Sequence, residues 1–212
     1  IKVGYRHIDT AEVYRNEKGV AGGIKKAISD NIVKRSDLFI TTKVFPGNER
    51  WGQKQKTYED VLEALNKSLD RLELSYVDLY LIHSAHADQT RLEQWKALID
   101  LKQQEYIKFA GVANWNINHL EEVKQNGLLL PDTNQIELHP WAQQPELVSY
   151  LRENSVHIIA YSSLVPLSTW RTKEGENSLK TSEMDAEGIS VDSLFKTLAN
   201  KYKVKELSLI HI

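Results

Sequence analysis

Cysteine is absent from all 212 residues. That absence removes disulfides, thiolate nucleophiles and cysteine-ligated zinc together. It also suits a reducing compartment, so a cytoplasmic location is expected. Neither sign of charge is in excess: 27 Lys and Arg stand against 29 Asp and Glu, a net −2. No nucleic-acid or anionic-membrane partner is expected from that balance. No apolar run approaches the roughly 20 residues that a bilayer span needs. The opening IKVGYRHI lacks the basic-then-apolar layout of a secretory signal. Methionine is nearly missing, Met184 being the only one. Without an initiator, the chain is expected to be a fragment or a processed form.

Several phosphate and nucleophile motifs are missing too. No G-x-G-x-x-G follows a strand, and there is no P-loop, G-x-S-x-G or H-E-x-x-H. His83 and His86 form an H-x-x-H pair, but no third ligand clusters with them, so no metal is expected.

What is present is an alternation of two periods. Short runs rich in β-branched and aromatic residues read as strands at 6–9, 38–44, 77–83, 107–114, 133–139 and 157–164. Several are apolar on consecutive positions, as strands buried on both faces are. Amphipathic helical stretches lie between them at 17–31, 57–74, 91–104, 118–127 and 145–155, with another near 191–203. The clearest is 57–74, where Val61, Leu65, Leu69 and Leu72 recur at helical spacing. Asn116 and Asn118 are both candidate caps for the fourth helix, and Gly127 is its candidate stop. Strict βα alternation leaves two architectures, an open doubly wound sheet or a (β/α)8 barrel. No linker or second domain is visible, so 1–212 is expected to be a single partial domain. Residues 165–190 break the rhythm and read as a long loop, of the kind that often covers a site.

Chemistry-bearing side chains sit at the strand ends. Asp9, Lys43, His83, Asn114, Gln135 and Tyr161 fall at or near the ends of six successive strands. Each alone is ordinarily a solvated charge or a satisfied structural group. Together they match the rim on which barrel active sites are built.

The stretches GYRHIDTAEVYRNE, FITTKV, YVDLYLIH, GVANW, NQIELHP and AYSSL, in that order, resemble the aldo-keto reductase superfamily. The resemblance covers most of residues 4 to 165. It implies a (β/α)8 TIM barrel, incomplete in this chain, with strands 2–7 and helices 2–7 visible. It implies NADPH as cofactor, a small-molecule carbonyl substrate (aldehyde, ketone or sugar), no membrane or nucleic-acid partner, and a monomer. It places the catalytic tetrad at Asp9, Tyr14, Lys43 and His83. Tyr14 is then the proton donor, Lys43 lowers the tyrosine pKa, Asp9 holds Lys43 charged, and His83 aims the carbonyl oxygen. Asp9, Asn114, Gln135, Tyr161, Ser162 and Leu164 become cofactor contacts. Tyr14, His83 and Trp115 border the substrate, and Trp51 and Trp141 are further candidate walls. A non-catalytic, cofactor-binding regulatory subunit and an inactive truncated fragment are the alternatives.

The family pattern is not matched throughout. Ala113 stands where members commonly carry serine, and Ser84-Ala85 where many carry Trp-Pro. The stretch 48–55 reads as an extra loop. The family's first strand is expected before residue 1 and its eighth after the last helix. Residues 205–212 match nothing and are expected to be a foreign tail. Six strands cannot close, so the isolated chain is expected to be poorly soluble.

Overall fold

The computed structural model describes residues 1–140, 142–163 and 194–204. Trp141, Leu164, the 165–190 loop and the 205–212 tail lie outside the described residues. The backbone divides into two compact units. One takes Ile1–Gln135 with Ser149–Ile159, the other the described residues of Ile136–Val148 and Ala160–Ile212.

Among the described residues there are six strands: β1 (His7–Asp9), β2 (Phe39–Val44), β3 (Val77–Ile82), β4 (Ile107–Ala113), β5 (Thr133–Glu137) and β6 (His157–Tyr161). They lie in one sheet in sequence order. Pairing is parallel from β1 through β5. The helices are α1 (Glu17–Ser29), α2 (Tyr58–Leu72), α3 (Arg91–Gln103), α4 (Ile117–Gln125), α5 (Pro145–Glu153) and α6 (Leu194–Tyr202). A doubly wound sheet reverses its strand order at a switch point. This order never reverses, so the units are those of a (β/α)8 barrel, six strands of which are here.

Local chemistry accounts for the elements. Thr57 caps α2 and shares a capping box with Asp60, while Val61, Leu65, Leu69 and Leu72 form its buried stripe. Of the two candidate asparagines, Asn116 is the cap of α4, its side chain accepting from His119 N–H at 3.1 Å. Gly127, at φ +68°, follows the end of that helix. Every residue of β3 is buried. Its one carboxylate, Asp78, accepts from Arg35 at 2.8 Å, Lys108 at 2.8 Å and Ile40 N–H at 2.9 Å. Those donors hold its pKa below the ordinary range despite burial.

Strand alternation gives the sheet two faces. The register aligns Asp9 with Thr41, Lys43 with Leu81, Leu81 with Gly111, and Ala113 with Gln135. These residues therefore share the face opposite the helices, where Leu79, Leu81 and Ala113 pack with Phe39 and Ile159. Gly111 is crowded. A Cβ there would stand 2.6 Å from both Leu81 Cδ2 and Thr133 Cγ2 and 2.8 Å from Thr133 O. Gly111→Ala is expected to destabilise the protein by about 1–3 kcal/mol, read as a lower urea midpoint. An unchanged midpoint would show that β4 and β5 separate freely.

Candidate active site

Lys43 is fully buried near the end of β2. Its long side chain runs across the face of the sheet toward the end of β1. There its ammonium donates to the carboxylate of Asp9 and, at 3.0 Å, to the carbonyl of Thr10. The second carboxylate oxygen of Asp9 accepts from the side-chain amide of Gln135 at 2.9 Å. The Asp9 side chain keeps 36% exposure. One face of the pair is thus held by protein and the other is open.

After Asp9 the chain turns. Thr10 O–H donates to Asn16 Oδ1 at 2.6 Å, and residues 12–14 form a single 3-10 turn. Tyr14 N–H donates to Ala11 O at 3.0 Å, and Arg15 closes the turn at φ +53°. The Tyr14 ring is half exposed and stands with its centroid 5.0 Å from Lys43 Nζ. Its hydroxyl lies 3.5 Å from His83 Nε2, at the outer limit of hydrogen bonding, and the rings meet edge to face at 5.5 Å.

His83 is fixed by its backbone, whose N–H donates to Val44 O at 2.9 Å. Its Nδ1 is buried with no hydrogen-bond partner. Burial, and next the charge of Lys43, push the imidazole down to about 4. A neutral ring at neutral pH presents one N–H and one lone pair. Lys43 is pulled down by burial, against the pull of Asp9. Tyr14 goes up, driven by burial and then by the Asp9 charge. This is opposite to the direction expected from an ammonium beside a phenol. Burial outweighs the Lys43 charge, which is engaged by Asp9 and Thr10 and lies beneath the ring, 5.0 Å from its centroid.

The sequence-predicted residues divide. Asp9, Tyr14, Lys43, His83 and Gln135 come together on one face. Asn114 joins them at φ +62°, its backbone N–H on Gln135 O at 2.9 Å and its side-chain amide on His83 O at 3.1 Å. Tyr161 and Ser162 belong to the second unit, where Tyr161 ends β6 partly exposed and Ser162 has φ +56°. Trp115 departs from its expected place on the substrate wall. It is 1% exposed, packed edge-on against Trp95 and His119, with the Arg91 guanidinium 5.9 Å from its ring. A helix-side layer claims it, so it offers a substrate no surface. Trp51 is exposed, stacked on Phe45 at 6.2 Å and 9° and edge-on to His86. It borders a cavity of about 410 Å³ shared with Asn48, Gln55, Ala85, His86 and Asp88, at the strand end where Ser84-Ala85 replaces Trp-Pro. A larger cavity of about 560 Å³, lined by residues such as Ile8, Val20 and Ile24, contains none of the strand-end polar groups and carries no chemistry. Among the described residues no cluster of His, Asp and Glu could hold a metal, and no helix is long and apolar enough to cross a membrane. Two contributors escape a reading of strand ends: the Thr10 carbonyl and the Glu12 carboxylate. Their one signal is their place inside the motif that carries Asp9 and Tyr14.

Comparison with known proteins gives the family and the fold. The family model for the Aldo/keto reductase family matches residues 1–211. The glyoxal reductase of Bacillus subtilis (strain 168) is 42% identical over 165 residues, covering 78% of this chain and 55% of that protein. The methylglyoxal reductase DkgA of Yersinia pestis is 41% identical over 169 residues, covering 79% of this chain and 55% of that protein. Among solved structures, the Bombyx mori aldo-keto reductase AKR2E4 in complex with NADP superposes with a TM-score of 0.78 at 31% identity, covering 99% of this chain and 65% of that one. The chain spans about half the length of the relatives it matches, 55% for the first two.

The depressed imidazole has a consequence for stability. Between pH 4 and 6.5 the unfolded chain takes up a proton at His83 that the folded chain refuses. Stability therefore rises with pH across that window. His7 and His119, also lowered by burial, add to the same slope. Urea midpoints are expected to rise from pH 4 to 6.5 in the wild type, and His83→Gln to flatten part of that rise. An identical slope in the variant would show that this imidazole is not the desolvated one.

Proposed function

The chain belongs to the Aldo/keto reductase family, and from that premise we propose that this protein reduces aldehydes and ketones to alcohols with NADPH. One observation carries the reading. A buried ammonium held by Asp9 lies beneath Tyr14, and the Tyr14 hydroxyl points at His83. When bound, NADPH supplies the hydride. Everything else falls to side chains of this chain. Tyr14 gives its proton to the carbonyl oxygen as negative charge gathers there. A phenol is protonated at neutral pH when substrate arrives, and an alkoxide is a far stronger base than a phenolate, so the transfer runs downhill. Asp9 and the Thr10 carbonyl hold the Lys43 ammonium beneath the Tyr14 ring, where its positive charge offsets part of the negative charge left when the proton has gone, against the larger cost of burial. Neutral His83 donates to the same oxygen and orients it.

The residues present fit such a cofactor. Asn114 and Gln135 bring two primary amides to neighbouring strand ends, and an amide supplies both the donor and the acceptor that a carboxamide needs. The names of the two bacterial relatives make small 1,2-dicarbonyls the first substrate class to test.

Oxidation of NADPH in the presence of methylglyoxal or 4-nitrobenzaldehyde tests the proposal. Tyr14→Phe is expected to lower kcat by about 10²–10⁴-fold and to leave NADPH affinity unchanged. A wild-type protein that binds NADPH tightly yet reduces no carbonyl would support a regulatory, non-catalytic role instead.

A further inference from the structure

Tyr14 rides on a turn that packing barely holds. Val13 is 44% exposed and Tyr14 49%. On the strand side the turn is pinned by Thr10 and Asn16. On the other side the fastening is Glu12. Its Oε2 accepts from Phe45 N–H at 3.1 Å, and its Oε1 lies 3.4 Å from Lys56 Nζ. Phe45 and Lys56 bracket the loop that follows β2. That loop closes on itself where Lys56 N–H donates to Pro46 O at 2.9 Å. The buried amide of Gln94 locks the closure, donating to Pro46 O at 3.0 Å and to Lys56 O at 2.8 Å. The Glu12 carboxylate therefore joins a loose turn to a rigid neck, and Phe45 lies only two residues beyond Lys43.

We infer that Glu12 is a positioning residue, holding the Tyr14 hydroxyl at His83 and its ring above Lys43 by anchoring the 12–14 turn to the neck of the 46–56 loop. This rests on the proposed carbonyl reduction. Glu12 touches none of Asp9, Tyr14 or His83 through its carboxylate; its effect passes through the backbone of the turn and the amide of Phe45. Loss of that anchor frees the phenol to swing outward, which lowers the chance of proton transfer without altering how substrate or cofactor binds.

Two variants of the purified protein test it. Glu12→Ala removes both anchors, and is expected to lower kcat by about ten- to a hundredfold, with KM and NADPH affinity holding within about twofold. Glu12→Gln keeps a carbonyl acceptor for Phe45 N–H and is expected to restore kcat to within about threefold of wild type, since only the weak, partly exposed ion pair is lost. A second readout is independent of turnover. The ultraviolet titration of Tyr14, taken as the difference from Tyr14→Phe, should move down toward an ordinary tyrosine in Glu12→Ala, because the released ring loses its burial. Wild-type kcat together with a wild-type Tyr14 titration in Glu12→Ala would overturn the inference. So would a Glu12→Gln variant as impaired as Glu12→Ala, or a loss of NADPH affinity equal to the loss of kcat. Should the wild type reduce no carbonyl at all, the functional reading fails, and the Tyr14 titration still decides the role of Glu12.

Discussion

An ammonium without access to water must be compensated inside the protein, or it loses its proton. At Lys43 that requirement organises the surroundings. The compensating carboxylate comes from the end of β1, a carbonyl from the residue after it, and a restraining amide on the carboxylate from β5. Three strands distant in sequence thereby converge on one charge. The effective penalty for an uncompensated buried ion is several kcal/mol, so the convergence is enforced rather than incidental. The same charge then acts on its neighbours, depressing His83 and lying beneath the aromatic ring of Tyr14.

The scaffold was readable because its signals are periodic and local. Buried parallel strands show as continuous apolar runs, and the Val61 to Leu72 stripe shows as helical spacing. Order along the sheet was not readable from periodicity, because a doubly wound sheet and a barrel use the same βα unit. Only the strand order, or the family resemblance, separates them. The strand-end polar residues were legible as a set for a related reason: a parallel barrel puts the ends of successive strands on one rim.

Other parts of the site depend on direction, which spacing does not encode. Trp115 follows Asn114 at the rim, yet the left-handed backbone at Asn114 hands the indole to the layer of Trp95 and His119. A tryptophan bound for that layer and one bound for a substrate wall are spelled alike. The shift of Tyr14 is a similar case. Spacing shows that an ammonium and a phenol share a site, but not how far the phenol is buried or that Asp9 and Thr10 engage the charge, and here burial decides the direction. Glu12 is a third. An acidic residue on a surface turn reads as solvated unless the amide it reaches is known, and Phe45 lies 33 residues away in sequence.

Gln94 sits inside α3 with no solvent exposure, and its amide gathers the carbonyls of both Pro46 and Lys56. A segment clasped at its two ends by one interior side chain is an interchangeable fitting. Between those ends Glu49, Arg50 and Trp51 face outward, while Asn48 and Gln55 stay buried, Gln55 accepting from the backbone of Gln89 and Thr90. Lineages could therefore rewrite the outward residues of that stretch while the sheet and its buried charge go on undisturbed.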